Sequence, residues 1–189
     1  MYGTAYVFSD AEVYGKARVS GNAQIYGDAQ VSGNAEVSGN AKVSGTAYVF
    51  SDAYVFNNAH IFGDAHIYGD ARLFGNACVS GNAQVYGNVK VSGDAEVYGK
   101  ARVSGNAQVY GNVKIDRTEN LLVVGPIGSR NSYTTFIKSD DGIIYVTCGC
   151  FFGTINEFEK KVLETHDETS IYRKQYTNVI GYVKNALMF

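Results

Sequence analysis

Three groups of residues have types and spacings that could do chemistry. His60 and His66 lie six residues apart in NNAHIFGDAHIYGDA, residues 57–71. Cys148 and Cys150 flank a glycine in VTCGCFFGT, and His166 follows. Arg130 closes GPIGSR, a glycine-rich stretch with Tyr133 just beyond it. Paired histidines point to a zinc site or to proton transfer, and zinc needs three or four ligands within about 2.0–2.3 Å. Two thiols point to redox chemistry or, with His166, to a metal. The spacing is not C-x-x-C, however, and the set falls short of a zinc site. Near a strand end, a glycine-rich turn can cradle an anion through backbone N–H groups. Arg130, Tyr133, Cys148 and Cys150 are therefore candidate ligand-binding residues.

What the histidines can do depends on the elements that position them. From Gly3 to Asp116 the chain divides without a gap into 19 hexads. The fifth position is always Val, Ile or Leu, and the third is Ala except at Val89 and Val113. The first is Gly except at Ser9, Ser51 and Asn57. Positions three and five lie two apart, so they share one side of a short strand, while four and six face outward. A Gly-Asn or Gly-Asp pair then frees the backbone for a corner. The six-residue period with a two-residue sub-period excludes a helix.

This pattern covers about 60% of the chain and resembles the hexapeptide-repeat left-handed β-helix, a triangular prism with three hexads per coil. The resemblance supplies the handedness. It implies about six coils and, because proteins of this fold are commonly trimers, a homo-oligomer. A longer period overlies the hexad: related 17-residue stretches begin at residues 9, 51 and 93. The step is seven hexads, which is not a multiple of three, so each copy turns onto the next face. Side chains duplicated this way do not line up, as expected of a spacer or scaffold.

On such a prism His60 and His66 point outward on adjacent faces and cannot share a metal within one chain, so we expect no metal site. Their neighbours suggest contact instead. Tyr48, Phe50, Tyr54, Phe56, His60, Phe62, His66, Tyr68 and Phe74 form an outward belt on an exterior otherwise rich in Ser, Gln and Lys. Exposed aromatic belts mark interfaces, and self-association is the expected use. Many hexapeptide proteins transfer acyl groups from coenzyme A or acyl carrier protein, using a histidine and a loop that interrupts the coils. Here 19 hexads run uninterrupted, so no catalytic residue is assigned and acyl transfer is kept as an alternative.

Residues 117–189 read as a small α+β module. Strands are expected at 121–124, 133–138 and 143–147, with SDDG as a hairpin turn. Thr154 and Glu157 form a capping box that opens a helix to about His166. Ile155, Phe158, Val162 and Leu163 make its apolar stripe. A second helix is expected from Ile171 to about Leu187, with Tyr172, Tyr176, Val179, Val183 and Leu187 inward. Eight Lys and Arg balance eight Asp and Glu in this segment. Its pattern resembles a module of bacterial and phage proteins to which no biochemical role attaches. Solenoid ends need covers, so the module is expected to cap the last coil. At the other end, Met1 is expected in an inward aliphatic position and Tyr2 in an outward one.

The totals set bounds. A net charge of −2 argues against general electrostatic binding of nucleic acid or anionic membrane. No run of about 18 apolar residues reads as membrane-spanning. The opening MYGTAYVFSDAEVYGK lacks the features of a secretory leader. Three cysteines do not make a disulfide framework, and a cytoplasmic setting is expected. Taken together, the expected architecture is mainly β: a left-handed parallel β-helix over 1–116 and a small α+β domain over 117–189. The expected function is a non-enzymatic, oligomeric scaffold, with no cofactor, presenting a partner-binding C-terminal module. The alternatives are sequestration of a small anionic ligand or nucleotide, and acyl transfer.

Overall fold

In the computed structural model, which describes residues 2–187, the chain forms two compact units, one ending at Thr118 and one beginning at Glu119. The first is a parallel β-solenoid of about six turns. Its strands are mostly two residues long and occupy positions four and five of each hexad. They stack into three sheets. The first runs through Arg18–Gly21, Glu36–Val37, Tyr54–Val55, Arg72–Leu73, Lys90–Val91 and Gln108–Val109. The second includes Tyr6–Val7, Lys42–Val43, His60–Ile61, Cys78–Val79, Glu96–Val97 and Lys114–Ile115. The third includes Glu12–Val13, Tyr48–Val49, His66–Tyr68, Gln84–Tyr86 and Arg102–Val103.

Paired strand residues lie 18 positions apart, as in Tyr54 with Arg72 and His60 with Cys78. That offset is three hexads, one coil. Position-four N–H groups donate across it, as in Tyr48 N–H to Ala65 C=O at 2.9 Å. The copies of the 42-residue period place their first full strands, Glu12–Val13, Tyr54–Val55 and Glu96–Val97, on three different sheets. The duplication therefore rotates its side chains around the prism.

The corners explain the first hexad position. All 16 glycines there, and also Ser9, Ser51 and Asn57, adopt φ near +60° to +80°. That conformation is readily reached by glycine, and tolerated by Asn better than by most residues. Space reinforces the preference: a Cβ on Gly45 would lie 2.8 Å from the Gly63 amide nitrogen on the next coil. At position two of one corner, side-chain amides form a ladder. Asn22, Asn40 and Asn58 each donate to the next Asn at 3.1 Å, and Asn76 donates to Asp94 at 2.8 Å.

From Val19 to Ile115 every inward aliphatic is buried. The hexad pattern predicts burial of every fifth-position aliphatic from Val7 onward, but Val7 and Val13 are only half-buried. Among the described residues no strand pairs with Tyr6–Val7 or Glu12–Val13 on the N-terminal side, whereas Tyr2–Gly3 pairs with Arg18–Gly21, the strand that holds the buried Val19. The expected placements of Met1 and of the Tyr2 side chain fall outside the described residues.

The second unit is a four-stranded antiparallel sheet, Leu121–Ile127, Ser132–Lys138, Ile144–Cys148 and Phe151–Thr154, with two helices, α1 at Ile155–Thr165 and α2 at Ile171–Leu187. The fourth strand is absent from the sequence reading. It pairs back on the third through a turn at Gly149 and Cys150, where Gly149 has φ +59°. The SDDG hairpin closes with Gly142 N–H donating to Ser139 C=O at 2.8 Å. The Thr154–Glu157 capping box opens α1. Phe136, Ile144, Val146, Ile155, Phe158, Val162, Tyr176, Ile180, Val183 and Leu187 make one core. Leu163 and Tyr172 are exposed instead of inward, and Ile180 takes a core place. A stripe of period 3.6 admits one flanking position on either side, and packing against the sheet decides which one.

Val55 is fully buried in a narrow core that offers no partner for a charge. Val55→Asp is expected to unfold the solenoid, at a cost above about 4 kcal/mol. Far-UV circular dichroism and urea unfolding check this; a soluble variant with a native spectrum contradicts it.

Candidate functional site

The two prism histidines lie on different sheets, His60 on the second and His66 on the third. His60 is exposed and sits in register between Lys42 and Cys78. Partial burial, and then the neighbouring Lys42 charge, hold its imidazole below the ordinary value. Burial pushes the Cys78 thiol up, aided by Glu96. Both groups therefore favour their neutral forms. His66 is half-buried and its ring tilts against Tyr48 with centroids 5.1 Å apart. Among the described residues no three potential ligands are grouped to hold a metal.

The aromatic belt resolves into ring stacks. Phe50, Tyr68 and Tyr86 run up the third sheet with centroids 4.9 and 4.8 Å apart and nearly parallel planes. Phe56 and Phe74 stack at 5.1 Å on another face. The coil spacing of a parallel ladder matches the preferred distance between stacked rings. Arg72 lies over the Tyr54 ring at 5.8 Å. Tyr48, Tyr54, His60 and Phe62 stay exposed, while the stacked rings are half-buried. More exposed aromatics stand on the first coil: Tyr6 at 60%, Phe8 at 49% and Tyr14 at 50%. They occupy the same outward positions of the hexad, so the repeat register contained the signal that would have found them.

The groups that converge lie in the second unit. A cleft of about 230 Å³ is bounded by the turn after Leu121–Ile127, by the Cys148–Cys150 turn and by the last half of α1. Arg130, Cys148 and Cys150 line it, joined by Ser129, Ser132, Lys161, Thr165 and His166 over a floor of Phe158, Val162 and Tyr176. Tyr133 does not line the cleft: strand alternation aims Ser132 and Thr134 one way and Tyr133 the other. The sequence reading named neither Lys161 nor Tyr176 as site residues, and weighed His166 only as a metal ligand.

The cleft wall is tied down by α2. Gln175 accepts the Gly128 N–H at 3.0 Å, so that N–H is not free to cradle an anion. Gly128 has φ +72°, and a Cβ there would meet the Tyr176 hydroxyl at 1.9 Å. Thr134 donates its hydroxyl to Cys148 Sγ at 3.3 Å, and the Tyr176 hydroxyl lies 3.7 Å from the same sulfur. Burial, together with that contact, pushes the Tyr176 hydroxyl well above its usual range. The His166 ring stacks on Tyr176 at 6.0 Å. Cys150 lies in the turn rather than on an extended strand, and Cys148 and Cys150 are both free thiols.

Gly128→Ala forces a side chain into the Tyr176 hydroxyl and strains the backbone. It is expected to destabilise the second unit by about 2–4 kcal/mol, and Gly128→Ala with Tyr176→Phe to recover part of that loss. Chemical denaturation followed by near-UV circular dichroism measures both.

No helix among the described residues is long and apolar enough to cross a membrane. A repeat described as YdcK Beta solenoid repeat matches residues 29–45 and 71–87, two windows that are themselves 42 residues apart. No curated protein matches the sequence. Among solved structures, the acetyltransferase domain of PglB from Neisseria gonorrhoeae is 17% identical with a TM-score of 0.53, covering 58% of this chain and 53% of that one. A mutant perosamine N-acetyltransferase from Caulobacter crescentus, in complex with CoA and GDP-perosamine, is 15% identical with a TM-score of 0.52, covering 58% and 51%. The chain thus spans about half the length of these structures, and the likeness is one of fold. With its gapless hexads, positive-φ corners, 18-residue register and these structural neighbours, the first unit of this chain has the fold of a hexapeptide-repeat left-handed β-helix.

Proposed function

We propose that the second unit binds a small anionic ligand in its cleft and that the β-helix serves as its scaffold. The observation that carries this reading is the convergence of Arg130 and Lys161 on one concavity, neither of them paired with a carboxylate among the described residues. Ser129, Ser132 and Thr165 add hydroxyl donors, and the apolar floor of Phe158 and Val162 reduces solvent screening of the charges above it. The last turn of α1 carries partial negative charge. Attraction for an anion therefore comes from the side-chain cations, and the volume suits a phosphate- or carboxylate-sized group. A cytoplasmic setting belongs to the same reading.

A second reading is acyl transfer by the β-helix. The specific support is that two proteins of similar fold are acetyltransferases, one of them bound to CoA. The comparisons favour it over a scaffold without a ligand, for which no finding speaks. His66, oriented by Tyr48, would be the proton-transfer group.

Calorimetric titration of the full chain with inorganic phosphate, citrate, ATP and acetyl-CoA tests the two. The expected result is saturable binding of at least one anion, weakened about tenfold by Arg130→Gln and by Lys161→Gln. Binding unchanged in both variants rejects the cleft. Release of CoA from acetyl-CoA that is lost in His66→Ala establishes the second reading instead.

The aromatic belt is proposed as the contact between copies, a trimer being the assembly the fold resemblance implies. Sedimentation velocity at micromolar concentration is expected to show an oligomer for the natural sequence and a smaller species for Phe50→Ser/Phe62→Ser/Phe74→Ser. A monomeric natural protein, or an unchanged triple variant, overturns this.

A further inference from the structure

Two outward register pairs on adjacent coils of the prism join opposite charges. Arg18 pairs with Glu36 one coil on at 3.2 Å, and Lys114 pairs with Glu96 at 3.1 Å. The first sheet breaks the pattern farther along. Arg72 and Lys90 are register partners on neighbouring strands, so two cations face outward one coil apart. Like charges placed directly opposite each other destabilise a sheet. Among the described residues neither forms an ion pair with a carboxylate.

The two cations also line a surface cleft of about 400 Å³ with Asp70 and Asn88. Arg72 is held from one side, its guanidinium over the Tyr54 ring. Asn88 donates to Asn106 at 3.4 Å, which leaves its carbonyl oxygen available as an acceptor. The lining thus has two parts: a dicationic wall that suits an oxyanion, and a carboxylate and an amide oxygen that suit hydrogen-bond donors. A fully deprotonated anion such as sulfate satisfies the first part alone, since it offers Asp70 no hydrogen-bond donor. A group that brings both negative charge and hydroxyls satisfies both.

We propose that this cleft, independent of the one in the second unit, binds a phosphate monoester of a polyol. The phosphate bridges Arg72 and Lys90, and a neighbouring hydroxyl donates to Asp70 or Asn88.

The test is calorimetric titration of the full-length Arg130→Gln/Lys161→Gln chain, in which the second cleft is disabled, with glycerol 3-phosphate as the probe and sulfate as the comparison. Saturable binding of glycerol 3-phosphate is expected, with sulfate weaker. Arg72→Gln and Lys90→Gln are each expected to weaken it about tenfold. Both side chains face outward, so the far-UV spectrum stays native and separates lost binding from lost fold. Asp70→Asn is expected to narrow the preference for the ester over sulfate. Absence of saturable binding, equal affinity in the Arg72→Gln and Lys90→Gln chains, or a preference for sulfate overturns the proposal.

Discussion

Everything in the first unit follows from the distance between one coil and the next. A parallel ladder sets that distance at roughly 4.8 Å, and few groups tolerate so close an approach on every face. Inside, it demands small and branched side chains in alternation, supplied by Ala at position three and by Val, Ile or Leu at position five. At the corners it demands a backbone with positive φ and almost no side-chain bulk, hence Gly45 against Gly63. Outside, it brings identical columns into contact, so aromatic rings stack, amides chain together and charges are either matched or set against each other.

Much of this was legible in the sequence, because in a solenoid local pattern and tertiary contact are the same information. The hexad register alone placed His60 and His66 on different faces and put Phe50, Tyr68 and Tyr86 in one stack. The register did not show how a coil at the edge of the stack differs from one inside it. Val7 and Val13 obey the pattern fully and are half-buried all the same. Burial depends on a neighbour, and the hexad does not record whether a neighbour is there.

The second unit behaved differently. Its helices and most of its strands followed from capping, turn and periodicity signals. Its cleft did not, because Arg130, Cys148, Lys161, His166 and Tyr176 come from four separate elements or turns whose packing no spacing encodes. The GPIGSR motif is instructive. Its glycines invited a reading as an anion cradle, yet Gly128 is small because the Tyr176 hydroxyl packs against it, and its N–H is engaged by Gln175. The turn chemistry was readable, but its partner, 47 residues downstream, was not. Arg130 and Cys148 were named as candidates, and the fold supplied the cations and rings around them.

The amide ladder from Asn22 to Asp94 bears on how such a chain can change length. Its links each span 18 residues. Inserting or deleting one hexad leaves the hydrophobic interior in frame but turns every later residue onto the next face, so the outer columns are re-dealt. Only changes by multiples of 18 residues leave both interior and columns intact. The 42-residue period is a change of the first kind. A gene that grows this way keeps a stable rod while shuffling what the rod displays, and columns such as the Asn ladder survive because Asn is common at that corner, not because any one column was copied. The interior is inherited by the hexad and the surface by the coil, which lets the exterior diversify without putting the fold at risk.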